Sequence, residues 1–346
     1  MGTTGTTDAK VGIDTLDDLR AHLQTALEIE HATIPPYFTA WLSIKEDANR
    51  EAGQIVRSVM LEEMLHLTLA ANLLNAVGGS PNLTRKGFIP RYPHRLPHCA
   101  RIFDVSLENF SPASLETFLK IEKPEPSDAE PEPGQYRTIG QFYGAIAQGI
   151  TYLCERFGEP EVFAGLEDNQ VRPEDYYGSG NLVVVTSLAS ALIAVDEIKE
   201  QGEGANQSVF DLDHVILGDG TGREPAHYFR FKELQLGRRY VPGDTLRSGP
   251  TGSKIEVDFD AVYPIEANAK ISDYERGSEI RGALVEFCES YRKLMVTLEQ
   301  AFTGSRNQLI ESTARMFELK NQGLALMRTP VAPGATKTVG LTFTQD

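Results

Sequence analysis

The chain has 346 residues, 41% of them hydrophobic and 24% charged, and a formal net charge of -16. That is enough apolar material for a sizeable core in one large domain or two. The negative balance argues against binding to nucleic acid or to an anionic membrane surface, since both require a basic patch. Cys99, Cys154 and Cys288 are widely spaced with no C-x-x-C, so neither a disulfide framework nor a zinc finger is expected, and a reducing cytoplasm fits this usage. The opening MGTTGTTDAK lacks an apolar h-region and no run of about 18 apolar residues occurs, so neither secretion nor membrane spanning is expected.

Residues 15 to 45 open with Asp14 or Thr15 as a cap. They place Leu16, Leu19, Leu23, Leu27, Glu30, Ile34, Tyr37 and Trp41 at helical spacing. Pro35 and Pro36 fall inside this run, which predicts a kink or bulge one turn after Glu30. A second helix is predicted over 49–77, ending at Gly78-Gly79-Ser80-Pro81, and the two should form an antiparallel hairpin. Residues 80–138 are rich in proline and turn residues and end in the acidic KPEPSDAEPEPG, which reads as a long crossover. Helical periodicity returns at 139–157, 183–204 and 224–237. The alternating KIEVDFDAVYPI (254–265) suggests a strand or extended segment, and two more helices are predicted at 278–302 and 305–327. The expected organisation is a flexible N-terminus (1–14), a helical bundle (15–240) and a C-terminal extension packed on it (241–346).

The second helix carries the first chemical signal. Val56, Val59, Glu63, His66, Ala70, Leu73 and Val77 alternate in steps of three and four, so Glu63 and His66 point toward the core. A buried carboxylate costs several kcal/mol unless it is paired or bound to a metal. REPAHYFRFKEL supplies a second copy of the pattern, Glu224-x-x-His227. A two-metal carboxylate site in a four-helix bundle uses such a motif from each of two helices plus one glutamate from each of the other two. Glu30, which interrupts the apolar stripe of the first helix, is one candidate. In the segment DEIKEQGEG, Glu197, Glu200 and Glu203 compete for the other place and periodicity does not choose cleanly. Glu203 is favoured because Gly202 and Gly204 flank it and can admit a bulge. Carboxylates and imidazoles together suit iron or manganese, whereas structural zinc would more often recruit thiolates.

Plainer readings compete with this one. Glu63 and His66 can be a satisfied ion pair between helices. Acids at a helix end usually form a solvated face. Arg230 and Glu233 are either a pair that orients ligands or an exposed i, i+3 pair. Tyr37, Phe38 and Trp41 are ordinary core residues on this view, and His22, His94, His98 and His214 are expected on the surface or in loops.

EHATIPPYFTAWLSI, EEMLHLTLAANLLNAVGG, EQGEGA and AHYFRFKEL resemble the ferritin-like domain of iminophenyl-pyruvate dimer synthases, of the violacein and chromopyrrolate pathway type. The likeness extends through VDFDAVYPI, MFELKNQGLALMRTP and TVGLTFT, and so covers residues from about 15 to 344. The resemblance implies di-iron ligands at Glu30, Glu63, His66, Glu203, Glu224 and His227, and so selects Glu203 over Glu200.

The fold expected is all-α in the main, a ferritin-like four-helix bundle with long inserts, extra C-terminal helices and minor β structure. The expected function is that of a non-haem di-iron oxidase or oxygenase of specialised metabolism. It would hold two iron ions, with manganese as the alternative, and use O2 as co-substrate to oxidise a small amino-acid-derived molecule. Oxidative imine coupling, N-oxygenation and C-H oxidation all fit. Tyr37 is a candidate pocket or redox residue. An external electron donor and a homodimer accord with this reading, and nucleic acid and membrane do not. The rivals are a ferroxidase or iron-binding protein, which would use the same ligands, and a non-catalytic module whose polar core is an ion-pair network.

Overall fold

The structure, a computed structural model, describes residues 12–45, 47–97, 103–124, 136, 138–176, 178, 180–203 and 209–210, together with 224–345; the Glu203 side chain is excepted. The N-terminal 1–11, most of the acidic 123–134 stretch, and His98 and His214 lie outside the described residues.

The first helix, α1 (Leu16–Ser43), starts where Thr15 and Asp18 close a reciprocal capping box, Thr15 Oγ1 accepting from the Asp18 N–H at 3.1 Å. It is helical without interruption across Pro35-Pro36. Proline has no N–H to donate, and Pro36 therefore leaves the Ala32 carbonyl without its helical partner. The buried Tyr92 hydroxyl donates to that carbonyl at 2.8 Å. α2 (Arg50–Ala76) ends at Gly78, whose φ of 72° is the left-handed conformation that glycine adopts freely. The Gly79 N–H then closes the cap on the Leu74 carbonyl at 2.9 Å.

Within the crossover the chain forms a helix that periodicity did not predict, α3 (Pro112–Ile121), which has Pro112 in its first turn and a Ser111–Ser114 capping box. α4 (Ile139–Phe157) and the one-turn α5 (Glu159–Val162) follow, then α6 (Leu188–Glu203) and α7 (His227–Leu236). The chain closes with α8 (Glu279–Phe302) and α9 (Gln308–Arg328). Residues 254–265 are irregular, with a turn at 259–260, and make isolated bridges through Lys254, Val262 and Ile265; no strand ladder forms among the described residues.

Packing makes α1, α2, α6 and α4 a closed ring of four helices. This corrects one expectation: 139–157 supplies a bundle helix, whereas 224–237 does not. α7 is only ten residues long and packs against α2, α3 and α6 at the side of the ring. α8 and α9 form a hairpin of their own that packs on α1 and α2. Among the described residues no helix is long and apolar enough to cross a membrane.

Candidate metal centre

Four glutamates and two histidines converge inside the ring. Glu30, Glu62, Glu63 and Glu122 are each at most 4% exposed, and His66 and His227 at most 2%. Glu63, His66 and His227 offer ligand atoms that all lie within 4.8 Å of one another. Glu30 Oε2 is 3.5 Å from His66 Nδ1, and Glu122 Oε2 is 3.6 Å from His227 Nδ1. Glu63 serves both histidines, with Oε1 2.9 Å from His227 Nδ1 and Oε2 3.9 Å from His66 Nδ1.

Each member has a second partner that fixes it. The Tyr143 hydroxyl on α4 donates to Glu30 Oε1 at 2.6 Å, and Thr33 Oγ1 donates to Glu63 Oε2 at 2.9 Å. Tyr37, fully buried against Phe118 and Phe231, donates its hydroxyl to Glu122. His66 Nε2 meets the Gln201 amide oxygen at 2.9 Å, and the Gln201 amide nitrogen donates to Glu197. His227 Nε2 meets Glu62 Oε2 at 2.9 Å, and Glu62 is held by two guanidinium nitrogens of Arg230 at 2.8 and 2.6 Å.

Charge in this interior is strongly perturbed. Burial would raise the Glu62 carboxyl, but the Arg230 guanidinium and His227 hold it well below the usual carboxylate range. Burial, then the charge of Glu122, push Glu63 up against the pull of the two histidines. Burial opposes protonation of His66 and His227, yet the surrounding carboxylates raise both, His227 strongly. Burial and the neighbouring carboxylates also raise Tyr37 and Tyr143, so both remain hydroxyl donors.

The structure brings together Glu30, Glu63, His66 and His227 from the sequence-predicted set, with Tyr37 beside them. Glu224 is placed elsewhere. The pattern Glu224-x-x-His227 is not a helical turn, because α7 begins at His227 and Pro225 lies in a bridge with Phe210. A residue that precedes proline is biased away from the helical conformation toward extended backbone. Glu224 sits instead with Oε2 3.5 Å from Arg230, its side chain 27% exposed. The Glu203 side chain lies outside the described residues; the described contact from α6 to the histidines is Gln201. Arg230 and Glu233 do not pair directly: Arg230 grips Glu62, and Glu233 takes Arg239 and the Tyr240 N–H.

Sequence reasoning missed Glu62, Glu122, Tyr143 and His31. Glu62 adjoins Glu63 and faces Arg230, a cation on the second motif that called for a buried partner. Glu122 caps the C-terminus of α3, and no periodic pattern marks it. His31 is fully buried on α1, and its spacing does not single it out.

A family model described as ferritin-like matches residues 23–236, well over half of the chain. The chain belongs to the ferritin-like family. Dichlorochromopyrrolate synthase of Lentzea aerocolonigenes is 27% identical over 304 residues, an alignment that covers 80% of this chain and 27% of that protein. The chain therefore spans about a quarter of the length of that curated relative. A crystal structure of a ferritin-like protein from Caulobacter vibrioides superposes with a TM-score of 0.65 at 23% identity, covering 94% of this chain and 98% of that one. The resemblance read from the motifs and the expected helical bundle are both borne out.

The donors of this site are of a kind that can hold a metal ion. A histidine that binds metal through one ring nitrogen commonly donates its other N–H to a carboxylate or carbonyl, which fixes the ring. Both histidines follow that pattern, each anchored through Nε2 and presenting Nδ1 to Glu63, with Glu30 beside His66 and Glu122 beside His227. The buried Nδ1 of His227 has no hydrogen-bond partner although Glu63 Oε1 is only 2.9 Å away, a geometry suited to two ligands of one cation. Arg230 is engaged with Glu62, and among the described residues the ion pairs of Glu30, Glu63 and Glu122 are with the two histidines.

Proposed function

We propose that the chain is a non-haem di-iron oxidase or oxygenase that uses O2 to oxidise a small amino-acid-derived substrate. The observation that carries this reading is the pair of anchored histidines whose Nδ1 atoms converge on Glu63. The matched relative is by name a chromopyrrolate synthase, which supports oxidative coupling as the first reaction class to test.

On this reading Glu30, Glu63, Glu122, His66 and His227 would hold the metals, the two histidines through Nδ1. The metals, when bound, supply the electrons and open coordination positions for O2 chemistry. The remaining roles belong to the chain. Gln201 and the Glu62–Arg230 pair fix the two imidazole planes, while Thr33, Tyr143 and Tyr37 each hold one ligand carboxylate. Tyr37 is hydrogen-bonded to Glu122 and in position to move a proton to or from that carboxylate. Glu203 remains a proposed further ligand from the end of α6.

The test is anaerobic reconstitution with iron(II), a count of iron per chain, and O2 uptake, with Glu63→Ala and His66→Ala as controls. About two irons bound per chain, lost in both controls, together with O2 uptake, is the expected result. If the wild type binds no more iron than the controls, the cluster is an ion-pair network and the enzymatic reading falls. Size-exclusion chromatography separates the ferroxidase rival, for which a large shell would be expected.

A further inference from the structure

A second cavity lies outside the ring, between the α1–α2 pair and the α8–α9 hairpin. It has a volume of about 630 Å³ and is walled mainly by apolar side chains, within the range of small-molecule sites. Trp41, Arg57 and Lys320 also line an adjoining recess of about 180 Å³, so the two spaces share one wall. Three features show what the cavity is built to hold.

The first is charge. The recess lining carries Lys45, Arg50, Arg57 and Lys320 and no carboxylate, in a chain whose net charge is -16. None of the four is paired with an acid among the described residues. Arg57 and Lys320 flank the Trp41 ring, 5.8 and 5.4 Å from its centroid. The carboxylates in the cavity wall, Glu62 and Glu224, both lie against Arg230. Uncompensated positive charge is therefore concentrated at one end.

The second is an orphaned polar atom. His31 also lines the cavity and is fully buried, and its Nδ1 has no hydrogen-bond partner. Its Nε2 is taken by the Tyr291 hydroxyl at 2.8 Å. His31 and Trp41 are ten residues apart on α1, which at 1.5 Å per residue separates them by about 15 Å along the helix axis. A hydrogen-bonding position and a cationic position therefore stand at opposite ends of an apolar space.

The third is the lining. Met60, Met64, Met295 and Met316 are four of the chain's six methionines. Unbranched thioether side chains adapt to a flexible ligand more readily than to one fixed ring shape.

We infer that this cavity binds an elongated aliphatic anion, its head at Arg57 and Lys320, its chain among the methionines, and a hydroxyl or carbonyl at its far end against His31. The site stands whether or not the carboxylate–histidine cluster holds metal. It touches that cluster only through Glu62, whose carboxylate forms part of the cavity wall and bonds His227.

Calorimetry on the full chain with 12-hydroxydodecanoate, and with uncharged 1,12-dodecanediol as control, tests this. The hydroxy acid is expected to bind at least tenfold more tightly than the diol. The double variant Arg57→Gln, Lys320→Gln is expected to erase that difference without changing the melting temperature. Met316→Trp, which fills the cavity from the partly exposed face of α9, is expected to abolish binding of both. Failure of the hydroxy acid to bind, equal binding of acid and diol, or an unchanged preference in the double variant would overturn the proposal. Tighter binding of a rigid aromatic 2-oxo acid would overturn the aliphatic assignment. A concentration-dependent dimer broken by Phe317→Glu would show that a second copy covers the cavity instead.

Discussion

The exchange of Glu224 for Glu122 is the most exposed claim about the centre, and it can be tested by one pair of isosteric variants. Glu63 Oε1 and Glu122 Oε2 lie 2.9 and 3.6 Å from the same nitrogen, so they are no more than about 6.5 Å apart. Two full charges at that distance repel by about 2.5 kcal/mol or more at an effective dielectric of about 20, and burial limits screening by salt. A cation bound between them converts that repulsion into part of its own affinity. Removing one charge forfeits the gain, and about 2.5 kcal/mol corresponds to a weakening of roughly 70-fold. Anaerobic iron(II) titration should therefore show Glu122→Gln binding one of its metals tens of times more weakly, with no loss of stability in the metal-free chain. Glu224→Gln alters a partly exposed carboxylate held against Arg230 and outside the carboxylate–histidine cluster, and should change iron affinity by less than about threefold. If instead Glu224→Gln loses iron and Glu122→Gln keeps it, the reasoning from burial and distance is refuted.

Three further outcomes are expected. Glu62→Gln leaves the buried Arg230 guanidinium with Glu224, 3.5 Å away, as its remaining carboxylate and should destabilise the metal-free chain by about 3 kcal/mol in denaturant unfolding; the double variant Glu62→Leu, Arg230→Met should recover most of that loss, because apolar replacements of a buried pair are tolerated. Burial lowers His31 to about 3 from 6.5. The unfolded chain therefore takes up this proton below about pH 6.5 while the folded chain stays neutral. Stability is lost as pH falls through that window, by about 1.4 kcal/mol at pH 5.5. His31→Phe should remove this share of the pH slope between pH 8 and 5.5, and an unchanged slope would show that His31 protonates in the folded state. Iron(II) held at about 100 times its dissociation constant should stabilise the wild type by about 2.7 kcal/mol, reversibly on chelation, and should not stabilise His66→Ala. Equal chelator sensitivity in the two proteins would place the metal elsewhere.

The contrast between Glu63 and Glu122 shows where sequence reading stops. Glu30, Glu63 and His66 stand on long helices, where spacing of three and four residues states which face a side chain occupies. Local geometry therefore carried them inward before any fold was known, as it carried the start of α1 at Thr15 and the end of α2 at Gly78. The expectation for Glu224 carries that spacing across Pro225, where the chain is not helical. Proline biases the residue before it away from helix, and α7 starts only at His227, whereas Ile34-Pro35-Pro36 is held helical inside α1.

Glu122, Tyr143 and Arg230 belong to another class. Tyr143 reaches Glu30 across 113 positions, Arg230 reaches Glu62 across 168, and Glu122 meets Tyr37 across 85. No periodic pattern spans such intervals. The amino-acid sequence determined the helices and the demand for a compensated polar core, because both follow from backbone spacing and from the cost of burying charge. Only the tertiary structure decided which distant carboxylate, phenol and guanidinium meet that demand. Such pairings form when the ring of helices closes and brings remote segments within hydrogen-bond reach.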